Sequence, residues 1–287
     1  AYLQITGLYD LKGGAALSFA LLVPALLVFV LQRFWLSRKN YVTVSGKSGA
    51  QTRIKGMGTA GESAILAICA FVVAFILFLY TLILLGAFTK VWGVNNSFTM
   101  ENFAYVFNHG RKAITDTLII AFISTPIGGL LAVSIAYVTQ RKNFPANGLM
   151  EVISLLNFAL PGTVVGIAYI IAFNSGPILL TGTMSILVAA YVFRYDSAGI
   201  RSVIASLHQI DPSLEEASLS LGATSIGTFK NVTLPLVVPA LVAGMKYLFI
   251  HSMTAISATI FLVSVSWSLL TRSEEHTSEL QSHLMIS

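Results

Sequence analysis

Four ionisable side chains stand inside otherwise apolar runs: Arg194, Asp196, Lys246 and His251. A charge in hydrocarbon is costly, so such residues mark a water-filled path, an ion relay or a contact between helices. His251, Thr254, Ser257 and Ser264 recur at spacings that place them on one face of a single helix. That face either lines a path for a polar solute or bonds to a neighbouring helix. Arg194 and Lys246 either border the same path or extend along their helices toward water. Pro161-Gly162, with Gly166 four residues on, supplies a Pro-Gly break and a G-x-x-x-G pair. The pair serves close helix packing, and the break could border a path.

Enzyme chemistry has little to work with. The sequence holds no carboxylate pair, no Ser-His-Asp set and no cluster with metal-ligand spacing. "GMGTAG" at 56–61 has the glycine spacing of a dinucleotide fingerprint, but it follows a basic stretch rather than a strand. Thr81 stands where an acid is needed about twenty residues on. "GKS" at 46–48 lacks the earlier glycine of a phosphate loop, because position 41 is Tyr. We therefore expect no catalytic residue, no metal and no cofactor, with any ATP bound by another subunit. The single cysteine, Cys69, lies in an apolar run and excludes a disulfide framework; packing is its expected role.

The elements that must position these groups are membrane helices. The chain is 55% hydrophobic and only 10% charged, where a soluble domain carries roughly a quarter charged residues. Six segments are long enough to cross a bilayer, at about 14–36, 63–89, 113–139, 149–173, 181–205 and 235–267. The expected fold is an all-α membrane protein of about six transmembrane helices. Thr59 and Glu62 have the spacing of a capping box at the start of the second. The net charge of +5 reads as membrane orientation rather than nucleic-acid binding, because the bases cluster beside the spans. Arg33, Arg38, Lys39, Lys47, Arg53 and Lys55 follow the first span, Arg141 and Lys142 the third, and Arg201 and Lys230 flank the end of the fifth. Those loops are expected in the cytoplasm, with Ala1 outside. The apolar pattern stops at Thr271, and Arg272 to His283 resembles a translated sequencing adapter, so 272–287 is expected to be a non-native tail on a chain cut at both ends.

One cytoplasmic segment is polar and built of small residues: "EEASLSLGATSIGTFKNVTLPLVVPA" at 215–240. Asp211-Pro212 reads as a helix N-cap followed by proline at the first position. Glu215 and Glu216 then sit near the positive end of the helix dipole. Leu214, Ala217 or Ser218, and Leu221 share a face, and Gly222 stands where a left-handed cap is wanted. A second short helix is expected to carry Ile226 and Phe229 and to end at Leu234-Pro235. Two amphipathic turns joined by glycine either pack on their own membrane domain or fit the groove of a partner.

This segment resembles the signature loop of ABC-importer permeases: Glu-Ala-Ala, three residues, Gly, nine residues, an aliphatic residue, one residue, Leu-Pro. Here it stands as Glu216-Ala217-Ser218, Gly222, Val232 and Leu234-Pro235, with Ser in the third place. "RSVIASLHQIDPSLEEAS" and "SMTAISATIFLVS" resemble the ferric-iron branch, whose permeases often fuse two halves in one chain. "SIGTF" at 225–229 departs from relatives that place Pro, an aromatic and a base there. The resemblance implies a type I permease bundle over 59–271, with 1–58 as the last helix of a preceding half plus a basic cytoplasmic linker. It implies that Glu215, Glu216, Ala217, Gly222, Ile226, Phe229, Leu234 and Pro235 form a loop that docks on a separate ABC ATPase dimer. A periplasmic solute-binding protein and a second permease half are the other implied partners, in the bacterial inner membrane. Ferric iron is the implied solute, with phosphonate and polyamine as alternatives. Pro161, Gly162, Arg194, His251, Thr254 and Ser257 are the candidate path residues. A gradient-driven carrier or channel is the rival reading.

Overall fold

The computed structural model describes residues 11–36, 58–142, 145–175, 177–264 and 266–271. The expected tail at 272–287 and the "GKS" at 46–48 lie outside them. The chain forms two compact units, one of Lys39–Arg111 and one of Ala1–Arg38 with Lys112–Ser287.

The smaller unit is dominated by α2 (Thr59–Ala87), in which no residue is buried. A helix apolar on every side is stable only where lipid or another helix covers it. Cys69 is exposed on it, so the expected packing role is not met within the unit. The capping box is not formed either. The cap is Gly58, at φ +81°, and it makes no side-chain cap bond to the first-turn N–H groups. Beyond α2, strands β1 (Thr89–Val91) and β2 (Asn95–Phe98) pair antiparallel ahead of α3 (Glu101–His109). Phe88 stacks on Phe98 at 5.5 Å and lies tilted against Phe103 at 5.0 Å, and the Asn102 amide donates to the Ala87 and Thr89 carbonyls.

The larger unit contains α1 (Leu11–Leu36), α4 (Arg111–Arg141), α5 (Asn147–Ala159), α6 (Gly162–Phe173) and α7 (Met184–Gln209). It continues through α8 (Ser213–Ser220), α9 (Ser225–Thr228), α10 (Leu234–Thr254) and α11 (Thr259–Leu262). Its core runs along α7. One cluster joins Ile120, Leu187, Tyr191 and Leu262, and a second joins Val133, Ala136, Val203, Leu207 and Val237. Helices α7 and α10 cross at Gly199 and Gly244. There is no room for a side chain: a Cβ on Gly244 would fall on the Gly199 backbone. Ser202 Oγ donates to the Ala240 carbonyl at 3.0 Å one turn away.

Four described helices are long and apolar enough to cross a membrane: Gly13–Leu31, Thr59–Ala87, Arg111–Arg141 and Ser225–Thr254. The bent pair α5 and α6 makes a fifth if taken as one span, with 111° between its halves. The remaining segment of the six expected, 181–205, is α7. It is long enough, but Arg194, Asp196 and Arg201 interrupt its apolar surface, and nearly half its residues are buried by the helices around it. The expected span 235–267 is shorter than its apolar run. Its helix stops at Thr254, where Ala255 is extended, and α11 begins only after a turn.

Candidate functional site

The polar segment folds as a helical hairpin whose parts can be traced bond by bond. Asp211 Oδ1 accepts the Ser213 N–H at 2.9 Å, so the expected cap is made, with the helix assigned from Ser213. That bond holds the exposed Asp211 carboxyl below its ordinary value. At the other end of α8, Gly222 has φ +90°. The Ala223 N–H bonds back to the Ser218 carbonyl at 3.1 Å and the Gly222 N–H to Leu219 at 3.0 Å, the paired bonds of a Schellman turn. Thr224 then caps α9 through a 3.1 Å bond from the Gly227 N–H. Ser218 and Thr228 hydroxyls meet at 3.0 Å and tie the two arms together.

The second arm corrects one expectation. Leu234-Pro235 does not end a short helix. A wide π turn over Phe229–Thr233 leads from α9 straight into α10, with the Leu234 N–H bonded to the Phe229 carbonyl. Proline lacks an N–H and crowds the carbonyl four residues back, so a wider turn just ahead of Pro235 relieves both problems. The hairpin is therefore a continuation of a membrane helix.

The two acids at 215 and 216 have opposite surroundings. Glu215 Oε1 accepts from Arg141 Nε at 3.0 Å and from the Thr233 hydroxyl at 3.0 Å, and both charged side chains are 13% exposed. Arg141 Nη2 also donates to the Leu207 and Ile210 carbonyls, each at 3.0 Å. One carboxylate and one guanidinium thus join the end of α4, the end of α7, the start of α8 and the π turn. Glu216 points outward and is exposed, as are Ala217 and Leu219. The tip is apolar: Leu221 is 90% exposed and Ile226 80% exposed. Phe229 faces the other way, edge-on against Tyr137 with ring centroids 4.7 Å apart. Of the eight loop residues named from the sequence, Glu215 and Phe229 hold the hairpin to the bundle. Glu216, Ala217 and Ile226 face outward around Gly222, while Leu234 and Pro235 start α10. Leu221 and Arg141, absent from that set, are the tip and the anchor. Their signal was present as an apolar residue beside the cap glycine and a base at a helix end.

The candidate path residues fall into two groups. Leu160 is extended, so α5 and α6 part at Leu160-Pro161. Arg194 Nη1 donates to the freed Leu160 carbonyl at 2.9 Å, which gives Arg194 a structural partner in place of an extension toward water. His251 lies against Tyr195, centroids 5.4 Å apart, and against Tyr247 at 4.0 Å. Arg194 lies 5.6 Å from the Tyr195 ring, so Arg194, Tyr195, His251 and Tyr247 form one cationic and aromatic row across α7 and α10. Ser257 belongs to the other group. It lies beyond the end of α10, and its side chain abuts Gly162, while the Ala258 carbonyl and Phe261 abut Gly166. The single helical face expected for His251, Thr254, Ser257 and Ser264 does not exist, because the chain leaves the helix at Ala255. Thr254 closes back onto the Ile250 carbonyl at 3.0 Å and Ser264 bonds the Gly182 carbonyl at 3.0 Å. The G-x-x-x-G pair at Gly162 and Gly166 serves close packing, on the segment 257–261.

Residues 124–281 match the model of a family described as binding-protein-dependent transport system inner membrane component. Among curated proteins, a ferric transport system permease protein of Actinobacillus pleuropneumoniae is 37% identical over 267 residues, which is 91% of this chain and 39% of the relative. A sulfate transport system permease protein of Salmonella typhimurium is 30% identical over 162 residues, 53% of this chain and 58% of the relative. The chain thus spans well under two thirds of the length of these relatives. Among solved structures, a bacterial ABC transporter involved in the import of the acidic polysaccharide alginate superposes with a TM-score of 0.56 at 17% identity, covering 72% of this chain and 79% of that one. The likeness is one of fold.

Proposed function

The chain belongs to the family of binding-protein-dependent transport system inner membrane components, and we propose that it is the transmembrane permease subunit, or half of one, of an ATP-driven importer. The observation that carries this reading is the braced hairpin. Leu221 and Ile226 expose an apolar tip to solvent on an α8–turn–α9 unit that its own bundle leaves uncovered. The same unit is fixed through Glu215 and Arg141 to α4, to α7 and to the π turn that leads into α10. A tip that docks on a moving partner, on a mount joined to three helices, transmits displacement to all of them. The partner is an ABC ATPase dimer that binds and hydrolyses the ATP. The permease subunit itself binds no nucleotide and no cofactor.

In this reading the hairpin and the basic loops are cytoplasmic, and Ala1 lies on the periplasmic side of a bacterial inner membrane. A periplasmic binding protein delivers the solute and a second permease half completes the path. Ferric iron is the proposed solute, on the strength of the 37% identical relative's name. Residues Pro161, Gly162, Arg194, His251, Thr254 and Ser257 are the proposed lining of the path.

The test uses the intact importer in proteoliposomes with its ATPase and binding protein. Leu221→Asp together with Ile226→Asp should leave the permease folded, abolish capture of the ATPase and stop ATP-dependent uptake of ferric iron. Uptake that persists without any ATPase would indicate a gradient-driven carrier instead. ATP-dependent uptake of sulfate or a phosphonate with no iron uptake would keep the importer and replace the solute.

A further inference from the structure

A cavity of about 540 Å³ opens between α1, α5 and α7, and its lining shares no residue with the hairpin or with the row at His251. Its walls are apolar: Leu21, Pro24, Val28 and Phe29 of α1, and Phe158 of α5. Its one charged wall residue is Arg201 of α7. The Arg201 guanidinium lies 5.8 Å from the Phe158 ring centroid, and the side chain is exposed into the groove. Among the described residues it has no ion pair and no hydrogen bond. A guanidinium has five donors, and an aromatic face satisfies none of them as an acceptor oxygen would.

Depth decides what can reach it. Arg201 precedes Gln209, the last residue of α7, by eight positions, or about 12 Å of helix. The end of α7 is held by Arg141, at the membrane-facing base of the hairpin. Arg201 therefore lies within the bilayer on the hairpin side, within reach of that leaflet's headgroup region once its long side chain extends. An unpaired cation at that depth beside an apolar groove requires an anion that itself carries a hydrocarbon body.

The geometry points to a binding site for one anionic phospholipid, with its phosphate on Arg201 and an acyl chain laid along the Leu21–Phe29 face of α1. The charge selects an anionic headgroup and the groove selects the chain. Arg201 and α1 then share one lipid, which adds to the direct packing of α1 on α5 and α6.

The test is lipid retention by the full chain, purified with its membrane lipids and then exchanged into nanodiscs. Native mass spectrometry should show preferential retention of phosphatidylglycerol over phosphatidylcholine. Arg201→Gln should lower that preference about tenfold, the scale of one charge-assisted contact, and Arg201→Lys should restore part of it. Lys246→Gln removes an exposed cation on α10 and should change nothing. Circular dichroism and melting of Arg201→Gln separate loss of the site from loss of fold. Equal retention of the two lipids by the wild-type chain overturns the proposal, as does an unchanged preference in a folded Arg201→Gln protein. Displacement of the lipid by millimolar inorganic phosphate would make this a soluble-anion site and overturn it too. A second copy of the chain occupying the α1 groove, seen as a dimer that excludes lipid, would do the same.

Discussion

Arg141 Nε stands 3.0 Å from Glu215 Oε1 across 74 residues of chain, and the same guanidinium holds the Leu207 and Ile210 carbonyls. The pair is largely shielded, so removing one partner strands the other with unsatisfied donors or acceptors. Glu215→Gln keeps the shape and one acceptor, whereas Arg141→Met removes every bond. Arg141→Met is expected to destabilise the hairpin by about 2–3 kcal/mol, seen as faster proteolysis at Gly222 and a lower melting temperature in detergent. Glu215→Gln should cost less than half of that. Equal melting of all three proteins would mean that the contact is not a brace.

The adjacent acid should behave in the opposite way. Glu216 is exposed and bonds nothing inside the bundle, so Glu216→Ala should leave melting within about 0.5 kcal/mol of wild type. In the assembled importer it should weaken ATPase capture while Glu215→Gln acts mainly through stability. A Glu216→Ala protein that melts early but captures the ATPase normally would reverse the two roles.

Gly222 has φ +90° with open space around its missing Cβ. Any cost of substitution is therefore backbone strain alone. Gly222→Ala should destabilise the hairpin by about 1 kcal/mol, and Gly222→Val by more, because a β-branched residue tolerates that conformation worst. Gly222→Asn should be nearly neutral. Hydrogen exchange at the Ala223 amide, which closes the Schellman turn, reports the order directly. An Asn variant as damaged as Val would point to a packing contact instead.

How much of this was legible in the sequence depended on the range of the interaction. The Asp211 cap and the Gly222 turn are decided within six residues, and both were readable from residue type and spacing. The helix break was only half readable. Pro24, Pro126, Pro161 and Pro239 look alike in sequence, yet only Pro161 parts two helices. The difference comes from distant residues: Arg194 supplies a donor for the Leu160 carbonyl, and the chain at 257–258 fills the notch at Gly162. The Gly199–Gly244 crossing was missed for the same reason, since a small residue in a helix says nothing about which helix approaches it. The expected face through His251, Thr254 and Ser257 failed because an apolar run continues past the point where the helix stops.

That notch supplies a test with its own control. A methyl on Gly162 would collide with the Ser257 hydroxyl and would stand 2.7 Å from Ser257 Cβ, with the Ala258 nitrogen next at 3.1 Å. A methyl on Gly166 would meet the Ala258 carbonyl oxygen at 2.8 Å and the Phe261 ring at 3.0 Å. The first obstacle is mainly a side chain and can be removed by mutation; the second begins with backbone and cannot. Gly162→Ala should therefore destabilise by roughly 1–3 kcal/mol, and adding Ser257→Gly should recover most of that loss even though Ser257→Gly alone is mildly harmful. Gly166→Ala should cost at least as much and gain nothing from Ser257→Gly. The measurement is a double-mutant cycle on melting in detergent, where coupling between positions 162 and 257 should be at least about 1 kcal/mol and that between 166 and 257 near zero. Additive behaviour at both pairs would mean that Ser257 does not pack in the break, and its grouping with Pro161 and Gly162 would have to be abandoned.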